Sequence, residues 1–148
     1  GCAIGIQETI YKMNVDELKE KLAEFLMKTI SFHDASSEAF YHGLVLGLCA
    51  MLDDRYSITS NREAGEGRFD IQMLPLNKKL PGILIELKAG QGCTEEQLET
   101  LANAALQQIN DRAYGTELIS LGIHSIVKYG IAFSGKKVRI AAETWNNH

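Results

Sequence analysis

The stretch that decides the fold is ILIELKAGQG, residues 83–92, because it places charged residues among apolar ones. Its four aliphatic residues predict a buried strand, yet Glu86 and Lys88 interrupt them. Positions 86 and 88 of a strand point to the same face of the sheet. A charge removed from water is strongly disfavoured unless it is paired or binds a metal ion. The two residues therefore form either a structural ion pair or part of a site at the end of this strand.

The composition indicates one acidic domain with a sizeable core. The chain has 148 residues, of which 45% are hydrophobic, and its formal net charge is −4. Such a charge produces no general basic field, so a nucleic acid would have to meet a local basic patch. We identify no apolar run near the ~20 residues of a membrane span and no signal peptide at the first residues. Three cysteines without a CxxC pair (Cys2, Cys49 and Cys93) favour reduced thiols and a cytoplasmic location.

Hydrophobic periodicity predicts a mixed α/β domain. A helix begins near Asn14, which forms a capping-box pattern with Glu17, and a second helix begins after Ser36 or Ser37. A meander of three strands follows, and a helix capped by Thr94 then crosses over to a further strand. The predicted strands are 55–64, 68–74, 83–88, 124–135 and 136–143, and the later helices are 94–110 and a short one at 117–122. We predict a helical lead-in over residues 1–33 and the main domain over residues 34–148.

The second predicted helix has an acid on its apolar stripe. Glu38 lies within roughly 20° of Val45 on the helical wheel, in line with the buried face. The alternative is an acid in the first turn that suits the helix dipole and still reaches water. His42 borders the same stripe, where a hydrogen-bonded structural histidine is the simpler interpretation.

Two further polar residues fall in apolar surroundings. Asp70 lies in a predicted strand between Phe69 and Ile71, where an ion pair with an arginine is the alternative to a functional role. Gln108 follows Leu101 by seven residues and is predicted in the middle of the buried stripe of its helix, where it would need hydrogen-bond partners. A core hydrogen bond without further function is the alternative. One shared site would explain Glu38, Asp70, Glu86 and Lys88 together.

Asp70, fifteen intervening residues and then Glu86-x-Lys88 resemble the signature of the PD-(D/E)xK nuclease superfamily. The segments SSEAFYHGLVLGLCAML, GRFDIQML, ILIELKAG and ALQQINDRAYG more narrowly resemble the nuclease-like domain found C-terminal to AAA-ATPase-like domains in bacterial proteins. The likeness covers about residues 36–142. It implies a restriction-endonuclease-like core, an α-β-β-β-α-β mixed sheet flanked by helices, with an extra N-terminal helix and a C-terminal strand.

The resemblance also implies roles for individual residues. Asp70 and Glu86 would bind the metal ion, Mg²⁺ or alternatively Mn²⁺, and Lys88 would be the catalytic lysine. Glu38 would be an additional acid at the metal. Gln108, with Tyr114, resembles a glutamine-tyrosine feature of exonuclease-like members. The chain departs from the family pattern in having Phe69, not proline, before the aspartate.

The chemistry of phosphodiester hydrolysis suits these residue types. Charge develops on the phosphate oxygens, a hard divalent cation offsets it, and Mg²⁺ prefers a few carboxylate oxygens and keeps several waters. Lys88 would lie beside the ion, where it orients or deprotonates the attacking water or holds the phosphate. The candidate phosphate contacts are Arg62, Arg68, Lys78, Lys79, Arg112 and Lys128.

We therefore predict a Mg²⁺-dependent nuclease that acts on DNA, with an ATPase domain elsewhere in the full-length chain. One alternative is a nuclease-like interaction or regulatory module of an ATPase protein with little or no cleavage. The other is a plain α/β domain whose buried charges form an ion-pair network.

Overall fold

The computed structural model describes residues 2–29, 37–61, 69–112 and 114–147. The helices are α1 (Cys2–Tyr11), α2 (Val15–Thr29), α3 (Glu38–Ala50), α4 (Glu95–Asn110) and α5 (Gly115–Ser120). The strands are β1 (Tyr56–Ser60), β2 (Ile71–Pro75), β3 (Gly82–Ala89), β4 (Ser125–Ser134) and β5 (Lys137–Asn146). No helix in these ranges is both long and apolar enough to cross a bilayer.

The strands form one sheet in the order β1-β2-β3-β4-β5. Every neighbouring pair is antiparallel except β3 and β4, which are parallel and are connected through α4 and α5. A parallel pair needs such a crossover, because a tight turn can join only antiparallel strands. The predicted meander, crossover helix and mixed α/β class are confirmed.

The two faces of the sheet are covered by different helices. Alternate residues of β3 (Ile83, Ile85 and Leu87) pack in one core with α1, α2 and α3. The intervening residue Leu84 packs on the other face with Ile109 of α4. Because side chains alternate along a strand, Glu86 and Lys88 point to the α4 face.

Helix α4 approaches the sheet closely because β4 has a glycine beneath it. A Cβ atom at Gly130 would lie 2.5 Å from the backbone nitrogen of Leu106 and would also meet the carbonyl oxygen of Ala102. The absence of a side chain at this position therefore lets the helix backbone rest directly on the strand.

The predicted helix starts are confirmed by their caps. The Ser37 hydroxyl accepts a hydrogen bond from the Phe40 N–H at 3.3 Å. Thr94 and Gln97 form a reciprocal capping box at the start of α4. These contacts satisfy backbone donors that a helix leaves unpaired at its first turn.

Several predicted boundaries differ from the structure. Within the predicted helical lead-in, α1 was not predicted as a separate helix, because its ten residues show only a short apolar repeat. Packing of Ile6 and Ile10 in the core stabilises it. The first strand was predicted over residues 55–64, but β1 ends at Ser60. The last strand was predicted to end at residue 143, but β5 continues to Asn146. The boundary predicted between the lead-in and the main domain lies outside the described residues. Where described, α1 and α2 share the core of α3 and the sheet.

Candidate functional site

The site begins with two reciprocal hydrogen bonds between the start of β2 and the end of β3. The Asp70 N–H donates to Glu86 Oε1 at 2.9 Å, and the Leu87 N–H donates to Asp70 Oδ2 at 2.8 Å. Ile71 pairs with Ile85 in the antiparallel register, so Asp70, one residue before the strand, stands opposite Glu86. Residues opposite each other in this register have side chains on the same face. The two carboxyl groups thus meet on the α4 face of the sheet.

The environment of Glu86 penalises its negative charge. Only 4% of the residue is exposed. Burial raises the pKa of the Glu86 carboxyl above 4.5, and the negative charge of Asp70 raises it further. The hydrogen bond from Arg112 and that from the Asp70 N–H act in the opposite direction. A carboxyl group with this balance of forces favours a positive partner.

Arg112 supplies that positive partner in the structure. Its Nη1 atom donates to Glu86 Oε1 at 2.6 Å, and its guanidinium carbon lies 5.4 Å from the centre of the Phe69 ring. The sequence analysis named Arg112 only as a candidate phosphate contact and did not predict this ion pair. The sequence offered only an indirect indication of this ion pair: a buried glutamate needs a positive partner, but the sequence does not show which residue supplies it.

Lys88 lies one step further along β3 on the same face as Glu86 and is half-buried. Within the described ranges, Lys88 forms no ion pair, and the partner of Glu86 is Arg112. The structural ion pair between Glu86 and Lys88, one of the two explanations of the IELK sequence, is therefore not formed. The lysine lies two residues after Glu86 on the same face of β3.

Glu38 is exposed in the first turn of α3, which agrees with the alternative of a first-turn acid that still reaches water, although Tyr41 and Val45 of the stripe with which it aligns are buried. Helix α3 lies on the opposite face of the sheet from Glu86. Its first turns nevertheless lie near the same end of the sheet: His42 Nε2 is 2.7 Å from Ser60 Oγ, and Ser60 pairs with Ile71, the neighbour of Asp70. His42 is buried and hydrogen-bonded, as a structural histidine would be.

The prediction that Gln108 lies in the middle of a buried stripe is wrong. The buried residues of α4 are Leu98, Ala102, Ala105, Leu106 and Ile109, and Gln108 is exposed. The predicted stripe was centred near Leu101, which is only partly buried and marks the edge of the actual contact face. The face of α4 that packs on the sheet therefore differs from the predicted face by a fraction of a helical turn, because contacts with distant residues decide which face is buried.

Tyr114 lies beyond α4, as the sequence reading placed it. Its ring meets the Phe69 ring edge-on, with centroids 6.0 Å apart. The Lys128 ammonium lies 5.4 Å from the centre of the same tyrosine ring. Tyr114 thus packs directly beside Phe69, the residue against which Arg112 rests.

The remaining candidate phosphate contacts lie in different parts of the structure. Lys128 is buried and engaged by Asn110 Oδ1 at 2.8 Å and Glu143 Oε2 at 3.4 Å. Lys78 and Lys79 are exposed in the β2–β3 connection, at the opposite end of these strands from Asp70 and Glu86. Arg62 and Arg68 lie outside the described residues.

The donor set suits a hard divalent cation. Across the described part of the chain, no group of three or more His, Cys, Asp or Glu residues is arranged to hold a metal ion, and the carboxyl groups brought together here are those of Asp70 and Glu86. Two converging carboxyl groups match Mg²⁺, which is held by one or two carboxylates together with water and substrate phosphates. The mutual repulsion of Asp70 and Glu86 is a second reason for a cation here.

Comparison with known proteins supports the fold and the nuclease class. A family model described as the PD-(D/E)XK nuclease superfamily matches residues 36–143, which is most of the chain. A comparison with curated proteins finds no match. Nucleases of this superfamily generally use divalent metal ions. The mixed five-stranded sheet flanked by helices is consistent with the restriction-endonuclease-like fold. From the extent of this match, together with the fold, we conclude that the chain belongs to the PD-(D/E)XK nuclease superfamily.

Proposed function

We propose that this protein is a Mg²⁺-dependent nuclease that hydrolyses phosphodiester bonds in DNA, with Mn²⁺ as an alternative ion. The observation that most supports the proposal is the hydrogen-bonded pair of Asp70 and Glu86, with Lys88 on the same face of β3. These are the residues that the sequence motif selected for metal binding and catalysis. Family membership supports the nuclease class, and the choice of DNA and of Mg²⁺ belongs to this proposal.

In the proposed mechanism, Asp70 and Glu86 would hold the cation through their carboxylate oxygens. The bound ion supplies positive charge that offsets the charge developing on the phosphate. Lys88 orients or takes a proton from the attacking water, or holds the phosphate that is cleaved. The water oxygen loses a proton to neutral Lys88 or to solvent and bonds to phosphorus, the bond from phosphorus to the leaving sugar oxygen breaks, and that oxygen takes a proton from solvent.

Glu38 and Gln108 have supporting roles in the proposal. Glu38 is an additional acid that approaches from the start of α3, near the end of the sheet where Asp70 lies. Gln108 is exposed on the last turns of α4, four residues before Arg112, and is available to a bound substrate. Both roles require movement or bridging water beyond the contacts described above.

The setting of the protein is also part of the proposal. We propose a cytoplasmic nuclease domain that works together with an ATPase domain of the full-length chain. The free thiols of Cys49 and Cys93 suit a reducing compartment.

The second candidate is an interaction or regulatory module with little or no cleavage. The observation that favours it is the ion pair that Arg112 already makes with Glu86, in a chain of net charge −4. Such a pair would satisfy a metal-binding carboxylate without any metal.

One substitution separates these candidates. We expect Asp70→Asn to abolish cleavage of plasmid DNA with Mg²⁺ or Mn²⁺ while thermal stability is retained, because the asparagine oxygen can still accept the Leu87 N–H. The matched control is Asp53→Asn, an exposed aspartate after α3, which should leave cleavage unchanged. Absence of cleavage in the unaltered protein, together with measurable metal binding, would favour the module.

A further inference from the structure

Arg112 is held between an aromatic ring and a carboxylate at the centre of the site. Its guanidinium contacts Glu86 Oε1 at 2.6 Å and lies over the Phe69 ring at 5.4 Å. Its side chain is 24% exposed, so it is neither a core residue nor a free surface charge. Glu86 is one of the two carboxylates assigned to the cation, and the arginine therefore occupies an oxygen of the proposed metal site.

A guanidinium and a divalent cation compete for the same carboxylate. The Arg112 side chain compensates a charge that burial and Asp70 both disfavour. Once a divalent cation supplies that compensation, a second positive charge on Glu86 is repelled by the ion. The ion pair of Arg112 is thus most favourable in the metal-free protein.

The backbone around Arg112 is anchored, so only the side chain needs to move for the guanidinium to leave Glu86. Asp111 caps α4 through its N–H bond to the Gln107 carbonyl at 2.9 Å. Asn110 donates to Glu143 at 3.1 Å and accepts from the buried Lys128 at 2.8 Å. These contacts fix the end of the helix immediately before Arg112. A guanidinium released there would remain next to the two carboxylates.

We propose that Arg112 is a resident counter-ion that leaves Glu86 when a divalent cation binds and then contacts a phosphate oxygen of the nucleic acid. This inference rests on the function proposed above. Arginine suits both partners, because its planar fork of donors matches a carboxylate and a phosphate equally well. The exchange couples metal binding to substrate binding through one side chain, and it makes Arg112 a substrate-binding residue.

The first test measures the exchange directly. Mg²⁺ is titrated at about pH 8 into the full chain and into Arg112→Gln. Calorimetry measures the Mg²⁺ affinity, and the NMR resonances of the arginine Nε–Hε groups report on the surroundings of each guanidinium. We expect Mg²⁺ to shift the Arg112 resonance, which is assigned by its loss in the variant, towards those of exposed arginines. We also expect Arg112→Gln to bind Mg²⁺ about tenfold more tightly, because the competitor has been removed. Arg55→Gln is the control: Arg55 contacts Tyr11 of α1, away from the site, and its removal should not alter the affinity.

The second test measures the phosphate contact. A short DNA duplex is bound at several salt concentrations, with and without Mg²⁺, in a Lys88→Met background that keeps the DNA uncleaved. We expect Arg112→Gln to reduce the slope of log affinity against log salt by about one ionic contact with Mg²⁺, and to leave the slope unchanged without it.

The outcomes separate this inference from the proposed function. If Mg²⁺ binds to the unaltered protein while the Arg112 resonance stays in place, the exchange is refuted and the metal site stands. If the resonance shifts but the salt slope is the same in both proteins, the phosphate contact is refuted. If Mg²⁺ binds neither the unaltered protein nor Arg112→Gln, the metal site itself is refuted, and the exchange with it.

Discussion

Asp70 and Glu86 hold each other in place through reciprocal side chain–backbone hydrogen bonds. The backbone N–H of Asp70 binds the side chain of Glu86, and the side chain of Asp70 binds the backbone N–H next to Glu86. Each carboxyl group therefore has one position fixed by a backbone donor. Such preorganisation means that two negative groups are kept close together at a cost in stability, which is typical of functional sites.

Loss of the Asp70 side chain should destabilise the protein, whereas its conservative replacement should not. In Asp70→Ala the partly enclosed Leu87 N–H loses its acceptor, which costs about 1–3 kcal/mol. Asp70→Asn keeps an acceptor and removes the repulsion on Glu86, so its free energy of unfolding should equal or exceed that of the unaltered protein. Urea unfolding of both variants measures the difference. Equal stabilities of the alanine and asparagine variants would show that the hydrogen bond contributes nothing.

Lys88 should matter for catalysis and little for folding. Because it forms no ion pair within the described residues, Lys88→Met should change the melting temperature little. Cleavage should fall by about 10²-fold or more, as expected for a group that moves or orients a proton. Mg²⁺ affinity, measured by calorimetry, should be retained. Lys12→Met is the control, because Lys12 is an exposed lysine after α1 that pairs with Glu8. Full activity of Lys88→Met would remove this lysine from the mechanism.

The raised pKa of Glu86 predicts a specific pH dependence of stability. In the native state the carboxyl keeps its proton to a higher pH than in the unfolded chain, so its ionisation destabilises the fold. The stability of the unaltered protein relative to Glu86→Gln should be greatest below about pH 4.5. It should fall as the pH rises through this value and level off above the native pKa.

The measurement is the free energy of unfolding of both proteins in a chelator across this pH range. Glu99→Gln, an exposed glutamate on α4, is the control and should show no such difference. A difference between the unaltered protein and Glu86→Gln that grows in favour of the unaltered protein as the pH rises would contradict the burial argument.

Gly130 should tolerate no side chain, because α4 lies directly on it. A Cβ atom in Gly130→Ala would meet the Leu106 nitrogen at 2.5 Å, and the neighbouring atoms belong to the helix backbone, which cannot rotate away. We expect a loss of about 1–3 kcal/mol or more in the free energy of unfolding. Gly43→Ala is the opposite case: nothing lies within 4 Å, and alanine in the middle of α3 should stabilise by roughly 0.5–1 kcal/mol. Thermal unfolding of Gly130→Ala and Gly43→Ala measures the expected loss and the expected gain in stability.

Local sequence patterns were sufficient for the order of the main elements. Thr94 and one of the two serines at positions 36 and 37 were identifiable as caps because a cap bonds to a residue only three positions away, and the structure shows that Ser37 is the serine that does so. The alternation of side-chain direction along a strand placed Glu86 and Lys88 on one face for the same local reason. The spacing of Asp70 and Glu86 indicated the motif, and the antiparallel register then brought the two residues together.

The sequence by itself thus determined the fold class, the main helices and strands, and the acids and lysine of the motif. Only the tertiary structure decided that Glu38 and Gln108 are exposed and that Arg112, 26 residues away in sequence, is the partner of Glu86. The physical reason is the range of the interactions. Caps and strand alternation depend on near neighbours, whereas the rotation of a helix and the choice of an ion-pair partner depend on how distant segments pack.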